Sequence, residues 1–145
     1  MSHLFQYQIQ TSGKQEFVTL DSYITDAIAK SKVMDGIVVV YCPHTTGGIT
    51  INENADPDVK RDLCTGLSKT FPNDKDYVHF EGNSDGHMKS SVIGASETLI
   101  IENGTPIFGT WQSVYFAEFD GPRTRTVYIK IIEGTPACAK AADCA

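Results

Sequence analysis

Three of the four histidines, His44, His79 and His87, stand in two polar, glycine-containing stretches, CPHTTGGITINENADPD (42–58) and HFEGNSDGH (79–87). His79 and Glu81 are separated by one residue, so an extended segment points both to one side. Gly82 and Gly86 permit Asp85 and His87 to fold back toward them. Neutral imidazoles with carboxylates are ligands that suit zinc and also accept manganese or iron. The competing reading is that each histidine caps a strand or helix end and meets only water. No H-E-x-x-H or C-x-x-C spacing is present, so a metal centre would have to arise where distant loops converge.

Around these histidines lie groups for proton transfer and ligand binding. Glu53, Glu81 and Asp85 are the candidate acids and bases. Thr45 and Thr46, with the backbone N–H groups near Gly47 and Gly48, are candidates for holding a phosphate, although TTGG also describes a tight bend between strands. Asn83 and Ser84 add polar contacts between His79 and His87. In GTWQ (109–112), the only tryptophan, Trp111, is suited to stack on a flat heterocycle that the Gln112 amide orients; alternatively Trp111 anchors the core. Arg123, after the turn DGPR, offers a planar fork to phosphate or carboxylate, or else pairs on the surface with Asp120 or Asp58. No Ser-His-Asp arrangement can be read around Ser84 or Ser113.

These loops need a scaffold. Phe5, Tyr7 and Ile9 alternate with glutamines, the two-residue period of a half-buried strand, and SGK turns the chain toward a second strand in EFVTL, predicting an opening hairpin. Ile24, Ala27 and Ile28 recur at helical spacing behind a DS cap candidate. IVVVY (37–41) reads as a fully buried central strand that ends at Pro43. Asp56-Pro57 is a helix start, with Val59, Leu63 and Leu67 on one inner face and a stop near Phe71-Pro72. HMKSSVIGAS is compatible with a short helix. ETLII, PIFGTWQSVYFAEF and RTVYIKII then predict an antiparallel meander joined by ENG and DGPR. The expected fold is α+β: one domain over 1–134, mainly antiparallel sheet packed on two or three helices, followed by a flexible tail over 135–145.

At 145 residues and 41% hydrophobic composition, the chain can bury one core without disulfides. Its formal net charge of -6, with no basic run, argues against nucleic acid as a partner. No apolar run approaches the roughly 20 residues of a membrane span, and no charged-then-apolar leader opens the sequence, so a cytoplasmic location without a membrane partner is expected. Cys42 and Cys64 fall where buried free thiols are common, while Cys138 and Cys144 sit in the small-residue tail.

HTTGGITINENADPDV, HFEGNSDGHMKSSVIG and GTWQSVYFAEFDGPR, in that order, resemble the YjbQ or UPF0047 family, also labelled secondary thiamine-phosphate synthase. The likeness extends over about residues 4 to 133. It implies a compact α+β fold and a homotrimer with motif residues in pockets near the subunit contacts. It also implies a divalent metal on His44, His79 and His87, with zinc expected and magnesium or manganese as alternatives. The activity it implies is transfer of a pyrimidine-methyl group to a thiazole phosphate. Arg123, Thr45 and Thr46 would then hold phosphate, and Trp111 and Gln112 the ring.

A zinc-dependent hydrolase of a phosphorylated or amide small molecule is the alternative, since three histidines with an open position suit activated water better than diphosphate. A trimeric small-molecule binding protein with a structural metal is the third. The sequence departs from the family pattern at Gly47 and Gly86, where alanine is expected, and at Ser113, where glycine is expected. The two glycines read as added backbone freedom in the site loops.

Overall fold

The computed structural model describes residues 3–135. Eight strands and three helices form in the order β1 (Leu4–Gln10), β2 (Glu16–Thr19), α1 (Asp21–Ser31), β3 (Asp35–Tyr41), β4 (Gly47–Glu53), α2 (Pro57–Thr70), α3 (Ser84–Ile93), β5 (Ser96–Glu102), β6 (Thr105–Pro106), β7 (Gln112–Glu118) and β8 (Thr124–Glu133). They make two sheets, β1-β8-β3-β5-β6 and β2-β7-β4, and every pairing is antiparallel. The α+β class read from the sequence is the fold observed.

Alternation along the strands decides the layering. Val38 and Val40 of β3, Leu99 and Ile101 of β5, and Val127, Ile129 and Ile131 of β8 point inward, against Ile49 of β4, Val114 and Phe116 of β7, and α1 through Ile24, Ala27 and Ile28. The opposite face of the small sheet buries Phe17, Tyr115, Ala117 and Phe119 beneath Leu63, Cys64 and Leu67 of α2 and Ile93 of α3. Strand β7 is therefore covered on both sides, which is why VYFAE is apolar almost without interruption.

Several local expectations change. The opening hairpin does not form: β1 pairs with β8 and β2 with β7, so the SGK turn carries the chain from one sheet to the other. The C-terminal meander is likewise divided, because β7 leaves the sheet that β5, β6 and β8 share. IVVVY is central but buried on one face only, leaving Ile37 and Tyr41 exposed. The expected cap of α1 is absent; Leu20 occupies that position, and the Asp21 carboxylate accepts the Val114 N–H at 2.9 Å, tying the helix to β7. Helix α2 starts as read, with Asp56 Oδ1 accepting the Asp58 N–H, although its inner face is only half-buried. Among the described residues no helix is long and apolar enough to cross a membrane. Apart from Thr135, the tail reading, including Cys138 and Cys144, lies outside the described residues.

Candidate active site

The β4–β7 ladder sorts the candidate residues into two groups. Its register sets Gly47 against Glu118 at one end and Glu53 against Gln112 at the other. Six steps of strand separate them, about 20 Å at roughly 3.3 Å per residue.

At the first end, a polar cleft of about 380 Å³ is lined by His44, Thr45, Thr46, His79, Glu81, Asn83, His87, Asp120, Arg123 and Arg125, with Pro43. Three segments supply its histidines: the exit of β3, the turn before α3, and the first turn of α3 itself. The HFEGN segment is not extended. Gly82, at φ +70°, donates its N–H to the His79 carbonyl at 3.0 Å, and this turn still leaves His79 and Glu81 on the cleft. The His79 and His87 rings lie 5.3 Å apart, edge to face.

His44 is fixed by its neighbour across the sheet. Its Nε2 lies 2.9 Å from the Thr126 nitrogen and 3.2 Å from the Thr126 carbonyl oxygen. With the proton on Nδ1, Nε2 accepts the amide N–H; with the proton on Nε2, the ring donates to the carbonyl and the Nδ1 lone pair is free for a ligand. Burial, reinforced by the Arg125 charge, holds the His44 pKa below its ordinary value, favouring the neutral ring.

Below the cleft floor is a buried ion pair that sequence reading missed. Glu118, fully buried, accepts from Arg125 Nε at 2.9 Å and from Arg125 Nη2, from Thr11 Oγ1 at 2.7 Å and from the Phe119 N–H at 3.0 Å. Arg125 Nη2 also donates to Thr46 Oγ1 at 2.9 Å, so the pair pins the HTT turn to β7 and β8. The hint was a charge alternating with apolar residues in RTRTVYIKII, where Arg125 takes an inward position.

Arg123 pairs with Asp120, Nη2 to Oδ2 at 2.9 Å, and Asn83 Nδ2 donates to the same oxygen. Burial alone would raise the Asp120 pKa, but these two donors hold its carboxyl below the usual range. Asp120 was likewise not among the residues expected at the site.

Asp85 does not line the cleft. It is buried and paired with Lys89 at 3.3 Å, and Lys89 also donates to Gln15 Oε1 at 2.8 Å. Ser84 opens instead onto a neighbouring groove with His79, His87 and Met88. Glu53, Trp111 and Gln112 line a separate pocket of about 540 Å³ at the far end of the ladder. There Trp111 is 63% exposed, contrary to a core anchor, and Gln112 Oε1 accepts the Gly109 N–H at 2.8 Å.

The imidazole donors suit a divalent metal, and three of them face one cleft. In the arrangement observed, no three His, Cys, Asp or Glu side chains among the described residues are gathered as a metal centre. Gly47 and Gly86 serve close packing rather than freedom: a Cβ on Gly47 would stand 2.6 Å from the Phe116 ring, and one on Gly86 2.9 Å from the Phe119 carbonyl oxygen.

Comparison with known proteins agrees with the fold and motifs. The family described as UPF0047 protein YjbQ-like matches residues 5–134. The chain belongs to the YjbQ family. A UPF0047 protein of Methanocaldococcus jannaschii is 57% identical over 129 residues, covering 89% of this chain and 94% of that protein. YugU, a UPF0047 protein of Bacillus subtilis, is 48% identical over 126 residues, covering 86% and 96%. A crystal structure of a YjbQ/UPF0047 family protein from Clostridium acetobutylicum superposes with a TM-score of 0.87 at 53% identity, covering 88% of this chain and 99% of that one.

Proposed function

We propose that the histidine cleft is the site of a metal-dependent enzyme acting on a phosphorylated or amide-bearing small molecule, with hydrolysis the reaction its residues serve best. The observation that carries this reading is the charge balance of a three-imidazole cleft. Arg125 is matched by Glu118 and Arg123 by Asp120, so the side chains alone leave no surplus positive charge, and a bound cation would supply the charge that an anionic head group needs. Glu81 adds a carboxylate at its rim. Neutral imidazoles in such surroundings favour a divalent cation.

His44, His79 and His87 would hold the metal. Zinc in such a setting lowers the pKa of a bound water to about 7. Glu81 is the cleft carboxylate assigned the proton, since Asp120 accepts from Asn83 and Arg123, Asp85 is committed to Lys89 and Glu53 lies at the far end of the ladder. The exposed Arg123 side chain can turn from Asp120 to a phosphate, and Thr45 and Asn83 orient the ligand. Transfer of a pyrimidine-methyl group to a thiazole phosphate would also need the stacking surface of Trp111 and Gln112, which a single chain holds about 20 Å away. The homotrimer implied by the family resemblance finds support in Leu4, Ile37, Ile100 and Ile132, apolar side chains exposed on the outer face of the five-stranded sheet.

Calorimetric titration of zinc into the metal-stripped full chain tests the reading. One equivalent should bind the wild type, with affinity reduced at least tenfold in His44→Ala, His79→Ala and His87→Ala. The zinc-loaded protein should turn over members of a phosphate-ester and lactam panel, and Glu81→Gln should slow that turnover 100-fold or more. Unchanged zinc affinity in all three variants would remove the metal site; tight binding without turnover would make the chain a binding protein.

A further inference from the structure

The two imidazoles of His79 and His87 belong to two cavities at once. On one side is the polar cleft; on the other is a groove of about 580 Å³ whose remaining walls are Phe71, Ser84, Met88, Ser91 and Val92. No charged side chain lines this groove. Its floor is one face of α3, because Ser84, Met88, Ser91 and Val92 recur at spacings of four, seven and eight residues. On a surface helix such positions ordinarily carry charge, yet Val92 is exposed. On the segment bearing His79, Val78 and Phe80 are 98% and 91% exposed, and the Phe80 ring stands 5.5 Å from the His79 ring. Exposed apolar side chains thus stand on both segments that carry the shared imidazoles, Val78 and Phe80 beside His79 and Val92 on the helix of His87.

We propose that the groove takes the uncharged ring or branched alkyl part of the same small molecule whose polar head enters the cleft. The substrate class is then amphipathic: a phosphate or comparable head joined to an aryl or bulky aliphatic group, spanning the His79–His87 wall. This rests on the cleft being the ligand site, as proposed above. Its own basis is that the two cavities adjoin across a wall made by two shared side chains, and that their linings contrast. A purely polar ligand would leave the groove's apolar face wet, whereas an aryl group laid on Met88 and Val92 removes apolar area from water on ligand and protein together.

The test uses the zinc-loaded full chain and two non-hydrolysable probes, phenylphosphonate and methylphosphonate, titrated calorimetrically. Half-burial of a six-carbon ring corresponds to about tenfold in Kd, so phenylphosphonate should bind about tenfold more tightly than methylphosphonate. In Met88→Gln and Val92→Gln that ratio should fall to about threefold or less, with the methylphosphonate Kd unchanged. Glutamine is a good helix former and position 92 faces solvent, so the fold is retained. Equal affinity for both probes in the wild type, or a ratio unmoved in both variants, overturns the inference and leaves the cleft reading standing. Failure of both probes to bind overturns the cleft as an anion-accepting site and this inference with it. A lowered solution mass in Val92→Gln with the ratio unmoved assigns the groove to self-association, which also overturns it.

Discussion

Replacing Arg125 by methionine should cost this fold far more than an ordinary surface arginine. Glu118 is fully buried, and three of the contacts to its carboxylate come from Arg125; Thr11 Oγ1 and the Phe119 and Asp120 N–H groups supply the rest. Methionine approximates the stem of the side chain but returns no charge, so a carboxylate is left in the interior with neutral donors only. Removing one partner of a buried pair costs about 3–5 kcal/mol. For a domain of this size, a loss near 4 kcal/mol lowers the melting temperature by roughly 10 °C.

The effect should extend to the site, because Arg125 also donates to Thr46 Oγ1 and lies within hydrogen-bond reach of the Thr46 carbonyl. Urea unfolding of the wild type, Arg125→Met, Glu118→Leu and the double variant forms the cycle. The double variant should recover at least half of what the worse single variant loses, since no unpaired charge remains. Arg125→Lys should fall between, because an ammonium cannot reproduce the fork across both carboxylate oxygens. A loss below about 1 kcal/mol for Arg125→Met, or additivity across the cycle, would refute the reading of this pair as the support of the HTT turn.

Gly48→Ala should cost about 2 kcal/mol or more in the same assay: its Cβ would stand 2.6 Å from the Gly94 carbonyl oxygen, which already accepts the Ile49 N–H, so backbone must move on both sides. Asp120 is held below its ordinary pKa by Asn83 and Arg123, so its folded form binds fewer protons than the unfolded chain near pH 3.8 and its contribution is present above that value. The stability gap between wild type and Arg123→Ala, measured on metal-free protein, should therefore hold steady above about pH 5 and close as pH falls below 3.8. The outer face of the large sheet exposes Leu4, Ile37, Ile100 and Ile132; Ile37→Lys with Ile100→Lys should reduce a trimer to monomer by sedimentation, and an unchanged mass would place any association elsewhere.

What the sequence disclosed was governed by the range of the interaction that decides each feature. Helix α2 was legible because Asp56 and Pro57 act within one turn, and the α+β class because alternation and helical periodicity are local. Sheet membership was not: β1 and β2 read as a hairpin since nothing between residues 10 and 16 records that Phe5 will face Ile129 or that Phe17 will face Ala117. The site divided along the same line. His44, His79 and His87 stood out by residue type within glycine-bearing loops, and the fold brings all three to one cleft.

Glu53, Trp111 and Gln112 were grouped with them because sequence motifs carry no distance, and only the β4–β7 register shows that TTGG and NE are opposite ends of one strand. Arg125 and Glu118 escaped notice because a charge inside a strand ordinarily marks the solvent face. Here each sits at an inward position of a different strand, and what makes both tolerable is the other, seven residues away across a turn. Such a pair is visible only once both inward positions are known, and it is this pair, through the long-range contact of Arg125 with Thr46, that holds the turn following His44 in place.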